Sequence, residues 1–589
     1  MRRPRRPPLP VLILLALLTV LLPAGTVEAA VRAEVTALRL TVRAGGRTCV
    51  VDADLYRPAG ASATAPVPAV LTTNGFGGSK RDGTTDALAR SVSAQGYAVL
   101  AYSGLGFGRS GCPVTLDDPA VDGRAASALV DFLAGLRTAD DGTRVGFVTL
   151  DGPGDPRVGM IGGSYGGAVQ FATASRDHRV DALVPLITWH DLAHSLFPDL
   201  AGAGAGVHKW RWTSGFYAIG EAQGLLHPRL DPSRTGGGGC VHMAAGACAL
   251  KGLLDSGRYL PGPTAEALRY AREVSPASYL GTVRAPTLLV QGQEDSLFTL
   301  DEAEATWRRL RAQGVPSALI WQSWGHSGGL RSPLPGELDL TGTDLGASWT
   351  GRRVLDWFDH YLRRGRGPRS AAPGPAFAYF RDWAPGYATA PAPPAPSRVL
   401  YVSGAPDGTG NGSLVADADA VRPDTRTYRG GPLPTSHTEN PFAQLSEHVP
   451  DPPPYDLPGG HLGWSTAPLT APLDVVGSPG ATFRVEAPRA ARAQKAADLA
   501  RRLVLFVKVL DVAPDGTARP VRRLVAPVRV PDVDRPFTVR LPGIVHRFAP
   551  GHRLRLVVAG SDDAHYGNRT TYTVRVREGV LRLPTTSGR

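Results

Sequence analysis

The residues best suited to nucleophilic chemistry in this chain are Gly162-Gly163-Ser164-Tyr165-Gly166-Gly167, where glycines stand two before and two after a serine. This stretch joins an apolar run, residues 158–161, to a helix-forming run, residues 168–174. Glycines at those positions let a strand turn sharply into a helix, which lifts the serine hydroxyl clear of the backbone. Ser164 is therefore the candidate nucleophile. A serine hydroxyl attacks a carbonyl only when an imidazole takes its proton, and a carboxylate must orient that imidazole. Two segments supply them in the order acid then histidine, each leaving an apolar run: Gln291-Gly292-Gln293-Glu294-Asp295 and Ser323-Trp324-Gly325-His326-Ser327. Asp295 is assigned as the orienting acid, with Glu294 as its rival. His326 is assigned as general base and then general acid. Asp191 and His190 also follow an apolar run, but adjacent residues serve one serine awkwardly, so they read as cap or pocket residues. An oxyanion needs preorganised N–H donors. The amides of Tyr165 and of Phe76, in the loop Asn74-Gly75-Phe76-Gly77-Gly78, are the candidates.

The elements that must position these groups follow from periodicity. Residues 34–42 and 49–56 read as opening strands around a Gly45-Gly46 turn, and residues 68–73 and 97–102 are glycine-bounded apolar runs of the kind buried strands show. Ala125, Leu129, Phe132, Leu133 and Leu136 recur at helical spacing before the strand at 158–161. Strand and helix in alternation predict a parallel, helix-covered α/β sheet. Residues 182–187 continue it. The pattern then stops, and residues 192–279 read as a helical, glycine-rich insertion that caps the site. The candidate pocket residues are Trp189, His190, Trp212, Tyr217, Glu221 and Phe298. Strand pattern resumes at 286–291, followed by a helix with Thr299 and Glu302 spaced as a capping box. Residues 317–321 read as the last strand of the sheet and 353–362 as the closing helix. Past the Gly/Pro-rich residues 364–375, helical periodicity gives way to short alternating runs divided by turns such as Pro514-Asp515-Gly516, which predicts an all-β sandwich. The expected division is a leader at 1–29, the core at 30–191 and 281–370, the cap at 192–280 and the β domain at 371–589.

Export is expected from the N-terminus: Met1-Arg2-Arg3-Pro4-Arg5-Arg6, an apolar stretch at 11–22, then Val27-Glu28-Ala29 suited to signal-peptidase cleavage. The apolar stretch is short for a membrane span, so no stable span is expected after cleavage. The formal charge of +12 is spread over interleaved basic and acidic residues. With no basic run or aromatic-interleaved patch, nucleic-acid binding is not expected. Four cysteines in an exported chain suggest disulfides, with three possible connectivities. Cys49 with Cys112 and Cys240 with Cys248 is the favoured pairing. There is no C-x-x-C spacing, and no metal or cofactor is expected. Gly106-Phe107-Gly108-Arg109-Ser110-Gly111 matches a dinucleotide-binding spacing, but Cys112-Pro113 follows instead of a helix. Asp417-Ala418-Asp419 lacks the glycine and glutamate of a calcium loop and reads as a solvated turn.

Several motifs together give the chain a family likeness. Besides Gly162-Gly163-Ser164-Tyr165-Gly166 they are Gly104-Leu105-Gly106-Phe107-Gly108-Arg109-Ser110-Gly111, Ser275-Pro276-Ala277-Ser278-Tyr279-Leu280, Val509-Leu510-Asp511-Val512-Ala513-Pro514-Asp515-Gly516 and His546-Arg547-Phe548-Ala549-Pro550-Gly551-His552-Arg553-Leu554. In these the chain resembles the X-Pro dipeptidyl-peptidase and cocaine esterase (CocE/NonD) group of serine hydrolases. The resemblance implies an α/β-hydrolase core with an inserted helical cap, then a C-terminal jelly roll that helps wall the site. Members of the group commonly place a tyrosine in the oxyanion loop; residues 74–78 have none, which favours backbone donation.

The reading is a secreted or envelope-located serine hydrolase acting on a small ester or peptide through an acyl-serine intermediate, and it is X-Pro dipeptidyl-peptidase-like. A peptidase of that kind needs an acid for the substrate's free amine, and Glu221 is the candidate. A cocaine-esterase-type carboxylesterase or amidase needs only the apolar, aromatic cap. A non-catalytic envelope or carbohydrate-binding protein is the contrasting class. The oligomeric state is not legible.

Overall fold

The computed structural model describes residues 33–225, 231–327, 333–363, 374–441 and 450–586. The expected leader, 1–29, lies outside the described residues. The core is a ten-stranded sheet. Its strands are β1 (Glu34–Ala44), β2 (Arg47–Arg57), β3 (Ala69–Thr73), β4 (Ala98–Tyr102), β5 (Val158–Gly163), β6 (Val180–Leu186), β7 (Thr287–Glu294), β8 (Ser317–Trp324), β9 (Phe377–Phe380) and β10 (Tyr387–Ala390). They run in the order β1-β2-β4-β3-β5-β6-β7-β8-β9-β10, with β3 to β9 parallel where they pair and the outer strands antiparallel. Every residue of β3 and β4 is buried, because helices cover both faces; hence their unbroken apolar runs.

The sheet does not end at residues 317–321, as expected, and it continues past the boundary at 371 that the Gly/Pro-rich stretch suggested. After the closing helix the chain returns and adds β9, paired Leu319 to Phe377 and Trp321 to Tyr379, and then β10. Trp321 and Phe377 are fully buried with their rings edge to face at 4.7 Å. Short strands after a proline-rich stretch look like the start of the β domain; the open edge of β8 and the burial of these aromatics assign them to the core instead.

The helices that matter to the site are α1 (Gly83–Ala94), α2 (Arg124–Leu133), α3 (Tyr165–Ala174), α4 (Leu192–Leu196), α5 (Trp210–Leu225), α6 (Ala245–Ser256), α7 (Pro261–Glu273), α8 (Leu300–Ala312) and α9 (Trp349–Leu362). Between β6 and β7, α4 to α7 form the cap. The expected capping box at α8 does not form: Thr299 stands at the N-cap position without a side-chain cap bond. The Glu302 carboxylate instead accepts the backbone amides of His190, at 2.7 Å, and Asp191, at 3.0 Å. Two half-buried amides in a turn are a stronger demand on a carboxylate than one amide of its own helix end.

Cys49 is bonded to Cys112, tying β2 to the loop after β4, and Cys240 is bonded to Cys248 within the cap. The C-terminal domain is β-rich, an eleven-stranded curled sheet with a further three-stranded sheet, starting at Arg398–Pro406. Its core holds Trp464, Phe483, Val507 and Phe548. Charged contacts seat it on the core and cap: Arg540 on Asp301 and Glu304, Arg522 on Glu294 and Asp382, Arg211 of α5 on Asp563. Asp417-Ala418-Asp419 is an exposed turn in which Asp417 accepts the Asp419 amide at 2.9 Å. No described helix is long and apolar enough to cross a membrane.

Candidate active site

Ser164 joins β5 to α3 with φ 56° and ψ −116°, a left-handed conformation that a non-glycine residue holds only under constraint. Strain of this kind is on the order of 1–3 kcal/mol and persists only where neighbours enforce it. They do: the Ser164 amide donates to Leu186 O at 2.9 Å, and its carbonyl accepts Thr188 Oγ1 at 2.8 Å. The flanking glycines are required by close packing. A Cβ at Gly162 would lie 2.7 Å from Gly166 O, and one at Gly166 would lie 2.4 Å from Thr73 O.

The loops after β7 and β8 bring the acid and the base to this serine. His326 Nε2 lies 2.9 Å from Ser164 Oγ, and His326 Nδ1 lies 2.7 Å from Asp295 Oδ2. Asp295 is fully buried, and its other oxygen accepts the Phe298 amide at 2.8 Å. A carboxylate bonded on both oxygens holds the imidazole with Nδ1 protonated and Nε2 free to take the serine proton. Glu294 is turned away to Arg522, at 3.4 Å. His190 Nδ1 contacts Thr306 Oγ1 at 3.0 Å, burial lowers its pKa, and Asp191 caps α4. Neither bonds Ser164.

Tyr165 follows the serine directly, and the loop of Phe76 lies beside it. The Tyr165 amide opens α3, where a helix leaves its first N–H groups unpaired. The Phe76 loop packs on Ser164, with a Cβ position at Gly75 only 3.9 Å from Ser164 Cβ. The Phe76 ring is held edge to face against Phe107 at 5.0 Å, Phe216 at 5.3 Å and Tyr165 at 5.6 Å.

Ser164 opens onto two cavities. One runs under the cap between Phe76, Leu116, Trp189, Tyr217, Leu254 and Phe298. Among the described residues lining it, the charged one is Lys251, which lies over the Tyr217 ring and pairs with Asp255. The other is lined by His326 as well as Gly75, Trp212 and Trp324. Trp189, Tyr217 and Phe298 of the expected pocket thus line the first cavity and Trp212 the second. His190 and Glu221 line neither. Glu221 accepts the backbone amides of Val241, at 2.8 Å, and His242, at 3.1 Å, so its carboxylate holds a cap loop.

Two buried cations of the cap went unread in the sequence. Arg234, 1 % exposed, donates to the carbonyls of Phe107, Gly108 and Ser110, filling the Gly-rich loop whose spacing resembles a nucleotide fingerprint. Lys209 Nζ donates to Ser296 O at 2.6 Å and Leu297 O at 3.1 Å, and burial lowers its pKa to about 8. Each satisfies carbonyls across 87 or more residues of chain, which local patterning does not signal.

A family model described as X-Pro dipeptidyl-peptidase (S15 family) matches residues 46–328, and one described as the X-Pro dipeptidyl-peptidase C-terminal non-catalytic domain matches residues 385–579. No curated protein matches. Among solved structures, an aminopeptidase from the marine sediment archaeon Thaumarchaeota archaeon superimposes with a TM-score of 0.65 at 16% identity, covering 96% of this chain and 99% of that one. An alpha-amino acid ester hydrolase gives 0.62 at 17%, covering 96% and 100%. A CocE/NonD family hydrolase from Staphylococcus aureus gives 0.58 at 13%, covering 96% and 99%. At these identities the structural likeness carries the fold.

Proposed function

The chain belongs to the X-Pro dipeptidyl-peptidase S15 family of serine hydrolases, and from that premise we propose that it is an exported hydrolase of esters or amides with an apolar, amine-free acyl group. Ser164 Oγ attacks the carbonyl carbon as His326 Nε2 takes its proton. The oxyanion is held by the Tyr165 and Phe76 amides. The imidazolium, steadied by Asp295, then gives its proton to the departing alcohol or amine. Water repeats the sequence on the acyl-serine, with His326 again as base, and frees the acid.

The observation that carries the acyl preference is the wall of the cavity under the cap. A free α-amine buried there would need a carboxylate, and the charged group among the described lining residues is a lysine. The carboxylate expected to meet such an amine, Glu221, is bonded to two backbone amides. Both disulfides support export, since they persist in oxidising compartments. The test is labelling with a fluorophosphonate probe, followed by comparison of medium-chain acyl esters with Xaa-Pro anilides. Wild type should be labelled, Ser164→Ala should not, and esters should have the higher kcat/KM. Labelling that survives in Ser164→Ala overturns the nucleophile. Preference for Xaa-Pro anilides overturns the acyl reading in favour of dipeptidyl-peptidase activity.

A further inference from the structure

Ser296 follows the candidate acid directly, and Ser327 follows the candidate base directly. The two serines are bonded twice: the Ser296 amide donates to Ser327 Oγ at 2.8 Å, and Ser327 Oγ donates to Ser296 Oγ at 2.7 Å. Ser296 Oγ also accepts Trp212 Nε1 of the cap at 3.1 Å and donates its own proton to Oε1 of Glu439. Glu439 belongs to the C-terminal domain, 143 residues away in sequence, and is 3 % exposed. Lys209 of the cap grips the same loop through the Ser296 carbonyl. Core, cap and C-terminal domain therefore meet at one hydroxyl next to Asp295, and every bond it makes is directed.

We propose that Glu439 is a positioning residue: its carboxylate fixes the Ser296–Ser327 pair, and through that pair the two loops that present Asp295 and His326 to Ser164. The β domain is then a working part of the site. The inference rests on the triad reading above. Displacements of about 1 Å in such a constellation lower turnover by about a hundredfold, and loss of a supporting bond behind first-contact groups lowers it by about ten- to a hundredfold. The groups facing Glu439 are Ser296 and Ser327 of the core, Lys209 of the cap and Asp562 of its own domain, the last bonded to His565.

The experiment compares wild type, Glu439→Ala and Glu439→Gln, with rates expressed per fluorophosphonate-labelled site so that only folded, competent molecules count. The expected result is a kcat at least about tenfold lower in Glu439→Ala with KM within about twofold. Glu439→Gln, whose amide oxygen can still accept from Ser296, should recover most of the loss. A kcat for Glu439→Ala within twofold of wild type overturns the proposal, as does equal impairment of both variants. If Glu439→Ala yields no folded protein, Ser296→Ala removes the same bond from the core side, and an unchanged kcat there overturns it too. A wild type that the probe does not label sinks the triad reading itself, which separates the two failures.

Discussion

The two flanks of the Ser164–His326 pair are built on opposite principles. Under the cap the wall is aromatic and aliphatic, with Trp189, Leu254 and Phe298 facing open space. Behind the acid and base, Ser296, Ser327, Trp212, Lys209 and Glu439 fill the space with directed bonds, drawn from three domains. The apolar flank can accept any acyl group that fills it, because dispersion and water release are undirected. The polar flank fixes geometry, because each hydrogen bond has one good orientation. Selectivity and positioning are thereby placed on different sides of one serine, so substitutions on each side should fail in different ways.

The largest effect belongs to the residue both flanks share. Ser164→Ala should lower kcat by about 10⁶-fold, with substrate binding retained, as measured by turnover against equilibrium binding of an unreactive ester analogue. Next comes the polar flank: Asp295→Asn should lower kcat by about 10⁴-fold by favouring the wrong imidazole tautomer, while Glu294→Gln should stay within a few-fold in the same assay. On the apolar flank, Leu196→Trp fills part of the cavity that Leu196 lines. Its kcat/KM should fall about tenfold or more for medium-chain acyl esters and hold for acetyl esters. An equal loss on both substrates would break the division between the flanks.

The smallest effect is on stability. Burial raises the Glu439 carboxyl to about 7, against 4.5 for an unperturbed side chain. A carboxyl raised in the folded state contributes stability that is complete below the unfolded value and is lost as pH rises through the folded one. Between about pH 4.5 and about pH 7 the melting temperature of wild type should decline more steeply than that of Glu439→Gln, and parallel profiles would count against the burial of this charge.

What could be read from the chain differed along the same lines. Ser164, Asp295 and His326 each sit at the end of an apolar run, and the elbow and loop spacings are local in sequence. Periodicity likewise exposed the α/β alternation and the helical cap. Glu439 and Lys209 carry no such mark, since their partners lie 143 and 87 residues away and no repeat links them. Glu302 shows the opposite error: its spacing from Thr299 met a helix-cap rule, yet a turn elsewhere in the core takes its carboxylate. A local rule fails where a distant amide competes for the same oxygen.

The return of the chain to form β9 and β10 also determines where this protein can be divided. Cutting after α9 would remove the strand that pairs with β8 through Leu319, Ile320 and Trp321. It would leave an apolar strand with open N–H and C=O groups along its length, a template for joining other chains edge to edge. Limited proteolysis between α9 and β9 should therefore release no soluble catalytic fragment. The ten-stranded sheet ends with β10, at Ala390, and a piece cut before β9 is expected to aggregate.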